Sequence, residues 1–166
     1  MKKSSIWVVL ALSCIIIGCA SAPLTPSLIP LGQHDLTLVE SRKPISLISA
    51  QEIKQTEIAL NHIIAKVDLD SCCEQTINLL GQWLEYNSIP IDKNANKKLY
   101  VSVLNPKANE RGNISFDLKI ETASGLVKIF NTEAIAFGAE RAIGYAINWG
   151  VVQVIHDADI LYYMEQ

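Results

Sequence analysis

The sequence predicts an α/β domain of the α+β kind. It is a single domain with a mainly antiparallel sheet of three to five strands and two or three helices packed on one face. Three observations predict this class. Apolar and polar residues alternate over 113–122, helical periodicity runs over 50–67 and 71–86, and a long apolar segment covers 133–156. A chain of 166 residues is long enough for one domain with a hydrophobic core.

The strands are clearest in the second half of the chain. In "NISFDLKIET" (113–122) Ile114, Phe116, Leu118 and Ile120 fall on one face, and the intervening residues are polar. That pattern predicts a strand with one buried and one solvated face. "KKLYVSVLN" (97–105) is rich in β-formers, and "ASG" (123–125) predicts a turn from which "LVKIFN" returns antiparallel.

Two short strands and a helix are predicted before that sheet. "HDLTLVES" (34–41) and "PISLIS" (44–49) have the composition of strands. Ser49 and Glu52 have the spacing of a capping box, which predicts a helix over 50–67. Its apolar face would be Ile53, Leu60, Ile63, Ile64 and Val67.

A second capping box, Ser71 with Glu74, predicts the next helix over about 71–86, ended by "YNSIP". Its apolar row is Cys73, Ile77, Leu80 and Leu84. Cys72 lies about 100° round the helix, so we expect Cys73 to be buried and Cys72 to be partly exposed. The pair could be two small core residues, a bridge to another chain, or a vicinal disulfide.

The last predicted helix, 133–156, has small residues at every fourth position: Ala134, Gly138, Ala142, Ala146 and Gly150. Small residues allow a helix to approach its neighbour closely. We interpret this row as the face that packs on the sheet; a partner-binding face and a membrane span are the alternatives. Glu140 and Arg141 interrupt the apolar run and leave about 14 residues, against about 20 for a span.

The first 18 residues have the features of a cleaved leader. Lys2 and Lys3 are followed by an apolar run, Ile6 to Ile17. As a helix that run would be about 18 Å long, against about 30 Å for the hydrocarbon core of a bilayer. A signal peptide over 1–18 therefore fits better than a retained membrane helix.

The end of the leader has the pattern of a bacterial lipobox. Ile16-Ile17-Gly18 precede Cys19, so Cys19 is the predicted lipid-attachment residue. Cys14 follows Ala11-Leu12-Ser13 and is the weaker alternative, because it would leave a short apolar run. An unlipidated signal or a retained helix is the remaining alternative. Three acyl chains at about 0.8 kcal/mol per buried methylene would anchor the protein permanently.

Ala20 follows the cysteine, where an Asp would commonly retain a lipoprotein in the inner membrane. We therefore expect an outer-membrane protein of a Gram-negative bacterium that faces the periplasm. Residues 19–33 contain Pro23, Pro26 and Pro30 and are predicted to be an extended, lipidated tether. The periplasmic domain is predicted over 34–166.

Charge and motifs argue against several functions. The net charge is −3, and loss of the leader with Lys2 and Lys3 would leave 12 basic and 17 acidic residues, or −5. Such a chain does not attract nucleic acid. It has no GxSxG, GxGxxG or P-loop motif, so we predict no catalytic residues and no cofactor.

The three histidines are His34, His62 and His156. "HDAD" (156–159) puts possible metal ligands close together, but its spacing matches no zinc motif. We expect Asp157 and Asp159 to be solvated charges at a helix end, and we predict no metal site.

The order of these features resembles the YajG-like family of small, uncharacterised outer-membrane lipoproteins. The stretches that carry the resemblance are "GCASAPLTPSL", "INLLGQWLEYNSIPI", "LYVSVLNPKANERGNISFDLKIETASG" and "AIGYAINWGVVQVIHDADILYYM". The resemblance implies a periplasm-facing α/β domain and transfers no catalytic residue. We therefore expect a non-catalytic module that binds another envelope protein or maintains the envelope. The alternative is a lipid- or small-ligand-binding auxiliary subunit of an envelope transport system.

Overall fold

The computed structural model describes residues 22–32, 38, 41, 43–60 and 63–166. The leader, Cys14, Cys19, His34 and His62 lie outside the described residues. Most of the predicted strand 34–41 also lies outside them, and Leu38 and Ser41 are not in a strand. The domain boundaries predicted at 18/19 and 33/34 therefore stay predictions.

The α+β class is confirmed. In chain order the described elements are β1 (Ile45–Ser49), β2 (Gln55–Leu60), β3 (Ile63–Asp68), α1 (Leu69–Tyr86), β4 (Lys97–Ala108), β5 (Ile114–Thr122), β6 (Val127–Ala134), α2 (Ala139–Ile155) and α3 (Ala158–Glu165). Within the described residues the main sheet has the order β1-β4-β5-β6, and β2 and β3 form a separate hairpin. β1 is parallel to β4, and the other neighbours are antiparallel.

The sheet predicted from residues 97–131 is confirmed. Ile114, Phe116, Leu118 and Ile120 are all buried, and the residues between them are partly exposed. Gly125 takes the positive φ of 88° that the turn before β6 requires. Helices α1 and α2 cover the buried face, so the core lies between one layer of sheet and one layer of helices.

The helix predicted over 50–67 is wrong, because the chain forms the β2–β3 hairpin there. The apolar spacing fits a helix, but the same residues also alternate as two strands. Thr56 and Ile58 face Val67 and Ala65 across the hairpin, and Ile58, Ala65 and Val67 are buried. β-branched residues favour such a surface, so the strand pattern prevails.

The last helix begins later than predicted. Glu133 and Ala134 still belong to β6, and α2 starts at Ala139 after Gly138, whose φ is 100°. The packing role of the small residues is confirmed within the helix. Ala142, Ala146 and Gly150 are buried, and Gly150 lies against Thr132 and Leu118 of the sheet.

Helix α1 also begins earlier than the capping box implied. Asp68 is the N-cap, and its carboxylate accepts hydrogen bonds from the Ser71 backbone N–H and hydroxyl at 3.0 and 2.9 Å. Asp is a strong N-cap, which explains the shift. Among the described helices, none is long and apolar enough to cross a membrane.

Candidate binding groove

Residues 22–32 lie against the folded domain along an extended path. Leu24 forms a parallel bridge to Val67 of β3. Its N–H donates to the Lys66 carbonyl at 2.7 Å, and its carbonyl accepts from the Asp68 N–H at 2.9 Å. This part of the predicted tether therefore joins the hairpin through one bridge residue, Leu24.

The same segment then crosses between the two long helices. The Ser27 N–H donates to the Glu140 carbonyl at 3.0 Å, and the Gln75 side chain donates to the Ser27 carbonyl at 3.0 Å. Asn148 of α2 donates to the Pro30 carbonyl at 3.0 Å. Gly144 makes the approach possible, since a Cβ atom there would lie 2.2 Å from the Ser27 oxygen.

A groove of about 540 Å³ opens between this segment, β1 and α1. Its apolar lining comes from all three parts of the chain, with Leu28, Leu47 and Ile77 as examples. The full lining is Leu28, Ser46, Leu47, Ile77, Asn78, Gly81, Gln82, Glu85, Ile91 and Lys93. An apolar floor with a few polar groups is typical of binding sites, and the volume lies within their usual range of about 300–1,000 Å³.

One wall of the groove is the edge strand β1. The Ile45 N–H donates to the Pro90 carbonyl at 2.9 Å, and the Ile45 carbonyl accepts from the Asp92 N–H at 3.0 Å. Ala50 N–H points the other way, to Val101 of β4. In a strand, the backbone N–H and C=O groups of alternate residues point to the same side. Those of Leu47 therefore point away from β4, as those of Ile45 do, and among the described residues no backbone group pairs with them.

The other wall is α1, and Gly81 is one of its lining residues. A Cβ atom on Gly81 would lie 3.5 Å from the Ile91 side chain, which is an ordinary van der Waals contact. The absence of a side chain at this turn keeps the groove open between helix and strand. Glu85 and Lys93, of opposite charge, also line the groove.

The cysteine pair does not face this groove. Cys73 is buried as predicted, and its thiol donates to the Val101 carbonyl at 3.2 Å and contacts the Ser49 hydroxyl at 3.3 Å. The predicted partial exposure of Cys72 is wrong, since only 1% of its surface is exposed. Burial, followed by the nearby Asp68 carboxylate, raises the pKa of the Cys72 thiol to about 12. Both cysteines are unpaired thiols.

"HDAD" marks the joint between α2 and α3. His156 is the C-cap of α2, and the Asp157 carboxylate caps α3 by accepting from the Ile160 N–H at 3.1 Å. Asp157 and Asp159 both pair with Lys128 of β6, at 3.2 and 2.5 Å, and these bonds raise the pKa of Lys128. The acidic residues thus hold a helix joint to the sheet. The described residues contain no cluster of His, Cys, Asp and Glu suited to a metal.

The groove could not be found from the sequence. Its lining comes from four separated stretches, and the first of them, at Leu28, lies in the predicted tether. The spacing of Ile77, Gly81 and Glu85 placed them on one helix, but nothing local indicated which strand would lie opposite. The predicted attachment residue Cys19 lies outside the described chain, and Leu24 is the first residue after it that the structure pairs with the domain.

Comparisons with known proteins assign no family. No family model and no curated protein matches the chain. A solved structure that does match is protein XCC0632 from Xanthomonas campestris, described as DUF330. It is 9% identical, with a TM-score of 0.48, and the match covers 87% of this chain and 95% of that one. The YajG-like resemblance stays a prediction.

Proposed function

We propose that this chain is a non-catalytic lipoprotein of the outer membrane, anchored through Cys19, whose periplasmic domain binds an extended segment of another envelope protein. The observation that carries the binding role is the groove between β1 and α1. A strand edge beside a helix is the arrangement in which a peptide adds to a sheet while its side chains enter the groove.

The chain itself already uses this edge. Residues 90–92 pair with Ile45, and Ile91 forms a parallel bridge with it. A partner segment would take the next positions along the edge, beside Leu47, and place alternate side chains between Ile77 and Gly81. Backbone hydrogen bonds would supply affinity, and the apolar lining would select the side chains.

A photo-crosslinking amino acid at Gln82, an exposed groove residue, tests the binding role in intact cells. The control position is Tyr162 of α3, which is 66% exposed and does not line the groove. We expect one discrete protein adduct from position 82 and none from position 162. Gly81→Leu should fill the groove and remove the adduct, whereas Gly81→Ala should keep it. Equal adducts in all variants would contradict the proposal.

The anchor is tested separately with labelled palmitate. Cys19→Ser should leave an unprocessed precursor without label, and Cys14→Ser should be processed and labelled like the unaltered protein. Normal labelling of Cys19→Ser would refute the anchor at this residue and favour Cys14.

The volume of the groove favours a second candidate, a lipid- or small-ligand-binding auxiliary subunit of a transport system. About 540 Å³ would accept one acyl chain or a compact ligand. Native mass spectrometry of the detergent-extracted protein distinguishes the two. A bound small molecule that is lost in Gly81→Leu supports this candidate, and a protein adduct without such a molecule supports the first.

A further inference from the structure

We infer that the outer end of the β2–β3 hairpin enters the surface of the bilayer that holds the lipidated Cys19. The inference rests on the proposed anchor and adds a second, protein-made contact with the membrane. The hairpin end is defined here as its last two described cross-strand pairs, Leu60 with Ile63 and Ala59 with Ile64.

The hairpin end extends beyond the core and is apolar on both faces. On the inner face, Val67 and Ala65 are buried, but Ile63, next along the strand, is 66% exposed. On the outer face, Ile64 is 71% exposed. Adjacent strand residues point to opposite faces, so these two isoleucines leave neither face of the hairpin end polar.

The N-terminal segment leads to this hairpin end. The bridge between Leu24 and Val67 is parallel, so the chain enters this bridge from the side on which β3 runs back to Ile63. Cys19 is five residues before Leu24, and Ile63 is four residues before Val67. At about 3.3 Å per residue these separations are roughly 17 Å and 13 Å. The five residues from Cys19 to Leu24 are therefore long enough to bring the lipid on Cys19 level with the hairpin end.

This short link limits what can lie next to the hairpin. An extended chain reaches at most about 18 Å over five residues, so the acylated cysteine cannot lie farther than that from Leu24. If the chain before Leu24 runs alongside β3, the bilayer surface is within reach of Ile63 and Ile64. Nearer the body, Glu57 and Lys66 face each other across the hairpin. Asn61 and His62 connect Leu60 to Ile63 in the sequence, so the apolar pairs lie between polar residues, and the contact we infer is with the boundary of headgroups and acyl chains.

The test uses the full-length, lipidated protein in liposomes of phosphatidylethanolamine and phosphatidylglycerol. Ile64→Cys and Ile63→Cys each carry an environment-sensitive fluorophore, and a brominated phospholipid quenches it from within the bilayer. The control is Ile129→Cys on β6, an edge strand of the described main sheet, and Ile129 is 57% exposed. Cys72 and Cys73 are buried, so their lack of labelling also reports that each variant is folded.

We expect quenching several-fold greater at positions 63 and 64 than at 129. Quenching at 63 or 64 no greater than at 129, in protein that carries palmitate and remains with the liposomes, would overturn this inference and leave the anchor intact. Protein that carries no palmitate and does not remain with the liposomes would refute the anchor, and the inference with it.

Discussion

The two long helices use glycine in opposite ways. In α2, Gly144 and Gly150 allow close contact, and a Cβ atom on them would come within 2.2 Å of the Ser27 oxygen and 2.8 Å of the Thr132 methyl carbon. In α1, Gly81 has Ile91 as its nearest neighbour, 3.5 Å from an added Cβ atom. The glycines of α2 lie so close to their neighbours that a Cβ atom does not fit, whereas Gly81 of α1 leaves room for one.

The difference indicates which helix is packed on two faces and which one borders a groove. Helix α2 lies between the sheet and the N-terminal segment, and both contacts depend on the missing side chains. Helix α1 contributes core residues along its length, from Cys72 and Cys73 to Leu84, and lines the groove with the face that carries Gly81. Substitutions at these positions should therefore differ in size and in sign.

The largest expected effect is that of Gly144→Ala. The new Cβ atom would meet a backbone oxygen, which cannot swing aside as a side chain can, so we expect about 3 kcal/mol lower free energy of unfolding. Urea unfolding measures the loss. Limited proteolysis should also become faster within residues 22–32, because their displacement is the way to relieve the overlap.

Gly150→Ala is the matched comparison for that experiment. Its Cβ atom would meet side chains of Thr132 and Leu118, so the loss should be smaller and proteolysis of residues 22–32 unchanged. A Gly144→Ala protein as stable and as protease-resistant as the unaltered one would show that the segment does not lie against α2.

Cys72→Ser should lower the free energy of unfolding by about 2 kcal/mol, since it replaces a buried thiol by a hydroxyl. Cys72→Ala keeps the site apolar and should cost less. Thermal and urea unfolding of both variants measure the difference. Similar losses for Ser and Ala would mean that packing, rather than polarity, sets the cost.

Alkaline pH should weaken the fold through the same thiol. The pKa of Cys72 is about 12 in the folded chain against an ordinary value of 9.0. Its contribution is complete below pH 9.0 and is lost between pH 9.0 and 12, because only the unfolded chain ionises readily there. At pH 10 the loss is about 1.4 kcal/mol. Above pH 9.0 the free energy of unfolding of Cys72→Ala, measured with urea, should fall less steeply with pH than that of the unaltered protein. Equal slopes would contradict the role given to the Cys72 thiol.

The smallest expected effect is a gain. Gly81→Ala should raise the free energy of unfolding by about 0.5–1 kcal/mol, because alanine is the better helix former and the added methyl group only touches Ile91. Urea unfolding again provides the measurement. A loss of stability would show that the groove wall is tighter than an ordinary contact.

Much of the sheet could be predicted from the sequence because its pattern is local. The alternation of 114–121 has a single interpretation, and the turn at Gly125 fixes the hairpin. Residues 50–67 could not be assigned in this way. Ile63 and Ile64 fit a helical face as well as a strand, and the pairing of Ile58 with Ala65 that decides between them is tertiary.

The ends of elements and the groove were beyond prediction for a related reason. Ala134 is small enough for a helix, yet it pairs with Ile114 in the sheet. Cys72 lies on the side of α1 that would face solvent if the row through Cys73 alone were buried. It is buried because this turn of α1 packs against the core with two of its faces. The spacing of apolar residues indicates one buried face of a helix and does not reveal a second.

Gln51 bears on how crowded copies of the protein would behave. Its side-chain amide accepts from the Val103 N–H at 2.7 Å and donates to the Val103 carbonyl at 3.0 Å, as a neighbouring strand would. Beyond it β4 has a bulge between Leu104 and Lys107, and Pro106 within the bulge has no N–H to offer. At high local concentration, open strands of neighbouring protein copies can pair and form fibres. The Gln51 side chain occupies the backbone groups of Val103 that a neighbouring strand would use. A strand from another copy of the protein therefore cannot pair with β4 at this position.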